Sequence, residues 1–461
     1  MLGLALINEG SAMSHERVGR DRPQQVIESI YSVNETLSAA HRQAKFARMA
    51  ASPRRFFDAS DHLYWQDAWH DWRLALFGGW PQTRTWLHGD ARVGSFAAVG
   101  YPQHPPHYTL TSLDHALIGD YQLDLWRLAT SLTLDARENA GLSDKGIDRA
   151  LEALARGYLE ALKAHRDGQP ARAGALESAK GPLKAFLRKV ADKQHPGRAL
   201  AKWTELDEHQ NRRFVTGSQK LANLPADVAS RLKRIIENDY PQTLKTPARQ
   251  GDAHHFRGKD TARRLDEAGL EHYYVLLEGG HEDEHDNVIL EVKEQRPPQA
   301  FHLLSRADQQ VWRKLFLNEG LRHAAAAHAL SSHFDAYLGW ITLNERILAV
   351  RQLPGFQKRL PTHKIKGAKA YCKLAQQWGA MLADLHVQGA TALNRGEAGF
   401  AEAVCERAAR DEAAFIESVA AFARGYAACV AQDYRLFAEH FMAGEPLGTG
   451  SSADVARRIA S

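Results

Sequence analysis

Two short hairpin patterns inside an otherwise helical chain of 461 residues limit the possible folds more than any other feature. His272-Tyr273-Tyr274-Val275-Leu276-Leu277 and Val288-Ile289-Leu290-Glu291-Val292-Lys293 are aromatic and β-branched runs of strand length. An acidic, His-bearing loop, residues 279–287, joins them. Trp340-Ile341-Thr342-Leu343 and Ile347-Leu348-Ala349-Val350-Arg351 make a second pair, with Asn344-Glu345 at the turn. Sequential strands joined so closely predict a small antiparallel sheet. The fold class read from the chain is α+β, mostly helical.

Helical spacing dominates elsewhere. Leu123, Leu125, Trp126, Leu128, Ala129 and Leu132 recur at helical intervals, and residues 25–51, 147–165, 309–331 and 369–441 read the same way. Short strands are predicted at 85–88 and 107–113. The aromatic stretch 58–80 reads as a buried anchor, and 166–200 as a basic, loosely packed connection. The predicted division is a flexible lead-in (1–24), a first helical part (25–250), a β-rich part (251–367), a second helical part (368–445) and a tail (446–461).

With 44% apolar residues there is ample material for a core, and the length exceeds what one core serves. A surplus of four positive charges gives no argument for a nucleic-acid partner. No run of eighteen apolar residues suggests a membrane helix, and the short apolar stretch 2–7 lacks the basic start of a signal peptide. The three cysteines, Cys372, Cys405 and Cys429, are an odd set without metal-ligand spacing. A cytoplasmic protein without nucleic-acid or membrane partners is expected. Whether its partner is a small molecule or a protein, and its oligomeric state, are not readable.

Chemistry concentrates at two strand ends. His88-Gly89-Asp90 places an acid on a glycine-permitted turn, where it can project into a cleft and take a proton. Asp114 stands at the next strand end, and two acids on adjacent strand ends suit a divalent metal and a phosphate. Asp124 starts a helix and either caps it or holds the turn by backbone hydrogen bonds. Lys293, in an apolar strand, either snorkels to water or meets an anion. The acidic loop 281–286 and the basic stretch Lys358, Arg359, Lys364, Lys366 and Lys369 read as solvated surface. His254-His255 receives no role.

These motifs, with Tyr337-Leu338-Gly339-Trp340, Val350-Arg351-Gln352-Leu353 and Leu382-Ala383-Asp384-Leu385-His386, follow an order that resembles the bacterial domain-of-unknown-function 2252 family over residues 40–440. That family is distantly similar to protein kinases and aminoglycoside phosphotransferases with the chain order permuted. The resemblance implies a two-lobe, circularly permuted kinase-like architecture using ATP and Mg2+. Asp90 and His88 would be catalytic, and Lys293, Gly269 and Arg264 would bind the cofactor. Asp114 and Ser95 would hold the metal, and Asp124 and Arg127 would give structural support.

The chain departs from the family pattern at the chemical positions. Arg92 replaces a His, Ser95 an Asn and Ser112 an Asp, and Arg264 to Gly269 keeps one glycine of a glycine-rich turn. Phe56-Phe57-Asp58-Ala59 has lost an Arg-Gly. An Asp266-Glu267 pair where phosphates would lie is electrostatically unfavourable. Two functions are expected from this. One is a pseudokinase-type binding protein, whose Asp90 or Asp114 would be neutralised by Arg92 or Arg264. The other is an active ATP-dependent phosphotransferase with a rearranged metal site, in which Asp90, Asp114 and Lys293 converge.

Overall fold

The computed structural model describes residues 21–101, 106–169, 173–193, 198–217, 220–245, 256–265, 269–279, 286–331, 335–393 and 397–444. The chain is α+β, 58% helical with antiparallel sheets. It divides into two compact units, residues 1–64 with 426–461, and residues 65–425.

The first unit is helical. Asn34 to Ser38 interrupt the helix expected over 25–51, giving helices Arg22–Val33 and Ala39–Met49. The Ser38 hydroxyl caps the second by accepting from His41 N. Phe46 and Phe56 pack edge-on or tilted against Phe437 of the long helix Glu412–Ala443, and Arg22 pairs with Asp433 at 2.6 Å. By length and composition that 32-residue helix could cross a membrane, although it contains no uninterrupted apolar run of eighteen residues. Phe415, Val419, Phe422 and Phe437 on it are buried within the protein.

Among the described residues, the second unit contains every strand. β1 (Arg84–Leu87) pairs antiparallel with β4 (Leu117–Asp120). β2 (Phe96–Gly100), β3 (His107–Leu110) and β13 (Phe356–Lys358) form a three-stranded sheet. β5 (Thr204–Leu206) and β6 (Arg212–Phe214) form a ladder of their own. The main sheet has the order β11-β12-β10-β9-β8-β7, from Gly339–Leu343, Arg346–Gln352, Val288–Glu294, His272–Leu277, Gly258–Arg264 and Leu221–Ala222. Asn344 and Glu345 both take positive φ, 50° and 63°, as a two-residue turn between twisted strands requires.

Every residue of β9 is buried because both faces of this sheet are covered. Tyr273, Val275 and Leu277 face Leu232, Ile235 and Ile236 of helix Ala226–Asn238. Tyr274 and Leu276 face Leu200, Trp203, Phe214 and Leu221. The same alternation turns Ile289, Glu291 and Lys293 of β10 to the second face.

Several expectations change. The sheet draws β7 and the elements packed on it from residue 198 onward, so the β-rich part begins well before 251. The stretch 166–200 holds helix Gly181–Ala191, whose Leu183, Leu187 and Val190 are buried; its Lys and Arg residues hid an amphipathic pattern. Residues 309–331 form two helices, Arg306–Leu315 and Glu319–Leu330, because the Asn318 side chain accepts from Leu321 N and starts the second. The aromatic anchor is incomplete: Tyr64 and Trp65 are buried, but Trp72 and Trp80 are exposed. β3 pairs with β2 rather than β1, so the two acidic turns become neighbours through β4.

Helices Asp144–Arg166 and Ala368–Ala392 pack unusually closely. A Cβ on Gly157 would lie 2.1 Å from the Gln376 carbonyl oxygen, and one on Gly379 would lie 2.1 Å from that of Leu154.

Candidate functional site

β1 ends at Leu87, opposite the first residue of β4, so the turns carrying Asp90 and Asp114 meet at one end of this ladder. Gly89 is required there. Its φ is +81°, and a Cβ would lie 1.9 Å from the His115 carbonyl oxygen.

Asp124 holds the turn by backbone hydrogen bonds, one of the two roles its position allowed. Fully buried near the start of helix Gln122–Glu138, it accepts from His88 N at 2.6 Å and Gly89 N at 3.1 Å. His386 Nε2 lies 3.3 Å from the same carboxylate, and His386 Nδ1 lies 2.8 Å from the Tyr158 hydroxyl. The Thr85 hydroxyl donates to the His386 carbonyl at 2.5 Å. The end of the motif at 382–386 is thereby joined in space to a turn almost three hundred residues earlier.

His88 is fixed as a neutral ring. Asp90 N donates to its Nδ1 at 3.2 Å, which leaves Nε2 to donate to the Thr111 carbonyl at 2.9 Å. Burial pushes its pKa down against the opposing pull of Asp124 and Asp90.

The Asp90 carboxylate is held on both oxygens. Arg127, fully buried, donates to Oδ1 from Nε at 3.0 Å and from its terminal nitrogen at 2.5 Å. Arg92 Nε donates to Oδ2 at 2.8 Å. The Ser95 hydroxyl donates to the Asp90 carbonyl at 2.9 Å, so it is engaged with the backbone of the turn.

Asp114 is matched in the same way from the sheet. Lys293 donates to Oδ2 at 2.7 Å and Gln295 to Oδ1 at 2.9 Å, and His323 Nε2 stands 4.0 Å from Oδ1. Burial would raise this carboxyl, but Lys293, His323 and the two hydrogen bonds hold it well below the usual range. Asp114 in turn raises Lys293, over the opposing effect of burial. Burial lowers His323 to about 4 despite the nearby Asp114. Arg322, fully buried, donates to the carbonyls of Asp114 and Ala116 at 2.8 and 2.9 Å, tying the turn to helix Glu319–Leu330.

Asp114, Lys293 and His323, with Ser112, Glu291 and Arg351, line a cavity of about 140 Å³. Asp90 does not line it. Glu291 is itself bound by Arg351 at 2.6 Å and faces His272 Nε2 at 3.1 Å; Arg351 and His272 hold its carboxyl low against burial.

The family model for an uncharacterized protein conserved in bacteria (DUF2252) matches residues 39–440. The chain belongs to the DUF2252 family. No curated protein and no solved structure matches it.

In this DUF2252 chain, the residues expected to act together fall into three groups. His88, Asp90, Ser95, Asp124 and Arg127 form one hydrogen-bonded turn. Asp114 and Lys293 form an ion pair beside it. Arg264 lies on the wall of a different cavity, and Gly269, at φ +67°, lines neither. Arg92 neutralises Asp90 as one expectation required; Arg264 does not pair with either acid, and Lys293 takes that part at Asp114. Asp266, Glu267, His254, His255, loop residues 281–285 and the 446–461 tail lie outside the described residues, as does 1–20 of the lead-in.

The donor set does not suit a magnesium ion. Both Asp114 oxygens already accept hydrogen bonds, and the Ser95 hydroxyl is directed to a backbone carbonyl. Among the described residues, no three His, Cys, Asp or Glu side chains gather as a metal would require. Sequence reasoning missed His323, Arg322, Gln295 and the Glu291–Arg351 pair. The available signal was Arg322-His323 in the alanine-rich run 319–330, where a charged pair has few neighbours of its own kind.

Proposed function

We propose that this DUF2252 protein is a permuted kinase-like scaffold of the pseudokinase type, acting by binding rather than by phosphotransfer. The permuted reading is supported by the contacts of His386, at the end of the 382–386 motif, with Thr85 and with Asp124, the residue that holds the His88-Gly89-Asp90 turn. Hairpin β8–β9 precedes the lysine strand β10, and the connection after β12 stands where a hinge would.

One observation carries the functional half. The carboxylate that would take a proton from a substrate hydroxyl is already held on both oxygens by Arg127 and Arg92. A general base needs a free oxygen within hydrogen-bonding reach of its proton. To provide one, Asp90 would have to give up either the fully buried Arg127 on Oδ1, which would leave a buried charge uncompensated, or the partly exposed Arg92 on Oδ2. Lys293 is likewise committed to Asp114.

The test is calorimetric titration of the full chain with ATP, with and without magnesium, beside Lys293→Ala. The expected result is no magnesium-dependent binding up to millimolar ATP. Micromolar, magnesium-dependent binding lost in Lys293→Ala would overturn the reading in favour of an active ATP-dependent phosphotransferase.

A further inference from the structure

A second cavity, about 570 Å³, opens on the face of the main sheet that carries Glu291. Arg198 and Lys202 of helix Arg198–Trp203, Arg264 at the end of β8, Arg351 of β12 and Lys358 of β13 line it. Glu291 is its single acidic lining residue, and Arg351 and His272 already hold that carboxylate. Arg198, Lys202, Arg264 and Lys358 meet no carboxylate within 4.0 Å among the described residues.

These charges are positioned. Arg264 donates to the Lys220 and Leu265 carbonyls at 3.1 and 2.9 Å, and its guanidinium lies 5.4 Å from the Trp203 ring centre. Lys202 lies 4.2 Å from the same ring, and Arg198 donates to the Lys193 carbonyl at 3.1 Å. Carbonyls and a ring face orient cations without cancelling their charge. This acts on Lys202, whose pKa is lowered by partial desolvation and then by Lys220, Lys358, Arg264 and Arg198. Cations from separate elements, gathered where they repel one another, mark a site whose stability is completed by an anion.

The shape and charge narrow the ligand. A cavity of this size takes a small molecule. Four cations lacking a carboxylate call for about four negative charges, which two or three phosphates supply in the least volume. A nucleobase has little to stack on, because Lys202 and Arg264 lie over Trp203, and Tyr274 meets that ring edge-on. We infer that this pocket binds a compact small molecule carrying two or more phosphate groups, without a metal and independently of Lys293.

The experiment is calorimetric titration of the full chain with pyrophosphate and tripolyphosphate in the presence of EDTA, with citrate as a carboxylate of similar charge. Both lysines are exposed, so Lys202→Ala/Lys358→Ala should keep the fold, checked by circular dichroism; Lys358→Glu gives a second, single-site variant. Micromolar binding of a phosphate probe is expected. It should weaken about 10-fold or more in the double variant, weaken also in Lys358→Glu, and be unchanged in Lys293→Ala. Failure of both phosphates to bind at millimolar concentration would overturn the inference, as would binding indifferent to the lysine substitutions. Citrate binding as tightly as tripolyphosphate would overturn the phosphate assignment. Loss of binding in Lys293→Ala would move the site to the Asp114 cleft, and would leave the test with ATP and magnesium to decide the functional proposal separately.

Discussion

The Asp114 cleft and the cationic pocket share Glu291 and Arg351 as a common wall, yet they treat charge in opposite ways. In the cleft and the turn behind it, acids and bases are matched within the protein: Asp90 by two arginines, Asp114 by a lysine and a glutamine, Asp124 by backbone amides. In the pocket four cations, Arg198, Lys202, Arg264 and Lys358, have no carboxylate within 4.0 Å among the described residues, and the one lining acid, Glu291, is taken by Arg351 and His272. Charge matched internally stabilises the fold and is unavailable to a ligand. Charge left unmatched contributes little to the fold, or opposes it, and is available. Substitutions should therefore change stability on one side of the wall and binding on the other.

The largest effect is expected at Arg127. Arg127→Ala leaves Asp90 without its buried partner and should destabilise by ~3–5 kcal/mol in urea unfolding. Adding Asp90→Leu should recover much of that loss, since an apolar replacement of a buried pair is often close to neutral. If Arg127→Ala costs less than ~1 kcal/mol, the turn is not held by charge matching and the contrast fails.

Acid provides the next test. The ordinary His323 value of 6.5 falls to about 4 in the folded chain, so the unfolded chain takes up a proton first as pH drops. Stability should be level above about pH 6.5 and decline between there and about pH 4. Its total loss should approach ~3 kcal/mol from this residue. His88, shifted in the same direction, adds to the decline. Asp114, held well below 3.8, contributes its loss only at still lower pH. His323→Gln should flatten the upper part of the curve; an unchanged slope would assign the decline to other groups.

At Asp124, replacement by Asn weakens charge-assisted bonds to His88 N and Gly89 N and should cost about 2 kcal/mol. The smallest change is expected across the wall. Lys358→Ala should alter stability by no more than ~0.5 kcal/mol while weakening phosphate binding. A large destabilisation there would show that the pocket cations are structural after all.

Much of this was legible in the sequence where the cause is local. The hairpins announce themselves by apolar runs with a turn between them, the Gly89 turn by its glycine, and Asp124 by its place at a helix start. Lys293 stood out as a charge in an apolar strand. What could not be read depends on distant segments meeting. Arg127 looks like any helical arginine until the helix is laid beside the turn. Lys202 and Trp203 reach the sheet from just beyond the stretch 166–200 that reads as a connection, where no pattern marked them. β3 chooses β2 over β1 for reasons of packing that no local pattern carries.

The first unit joins residues 1–64 to residues 426–461, and that separation matters during synthesis. The aromatic faces around Phe46 and Phe56 are covered by Phe437, which follows them by nearly four hundred residues. At roughly 5–20 residues per second, a ribosome needs about 20 to 80 s to supply it. Throughout that interval Phe46 and Phe56 lack the side chain that covers them in the finished protein, so this unit closes only after the rest of the chain has been made.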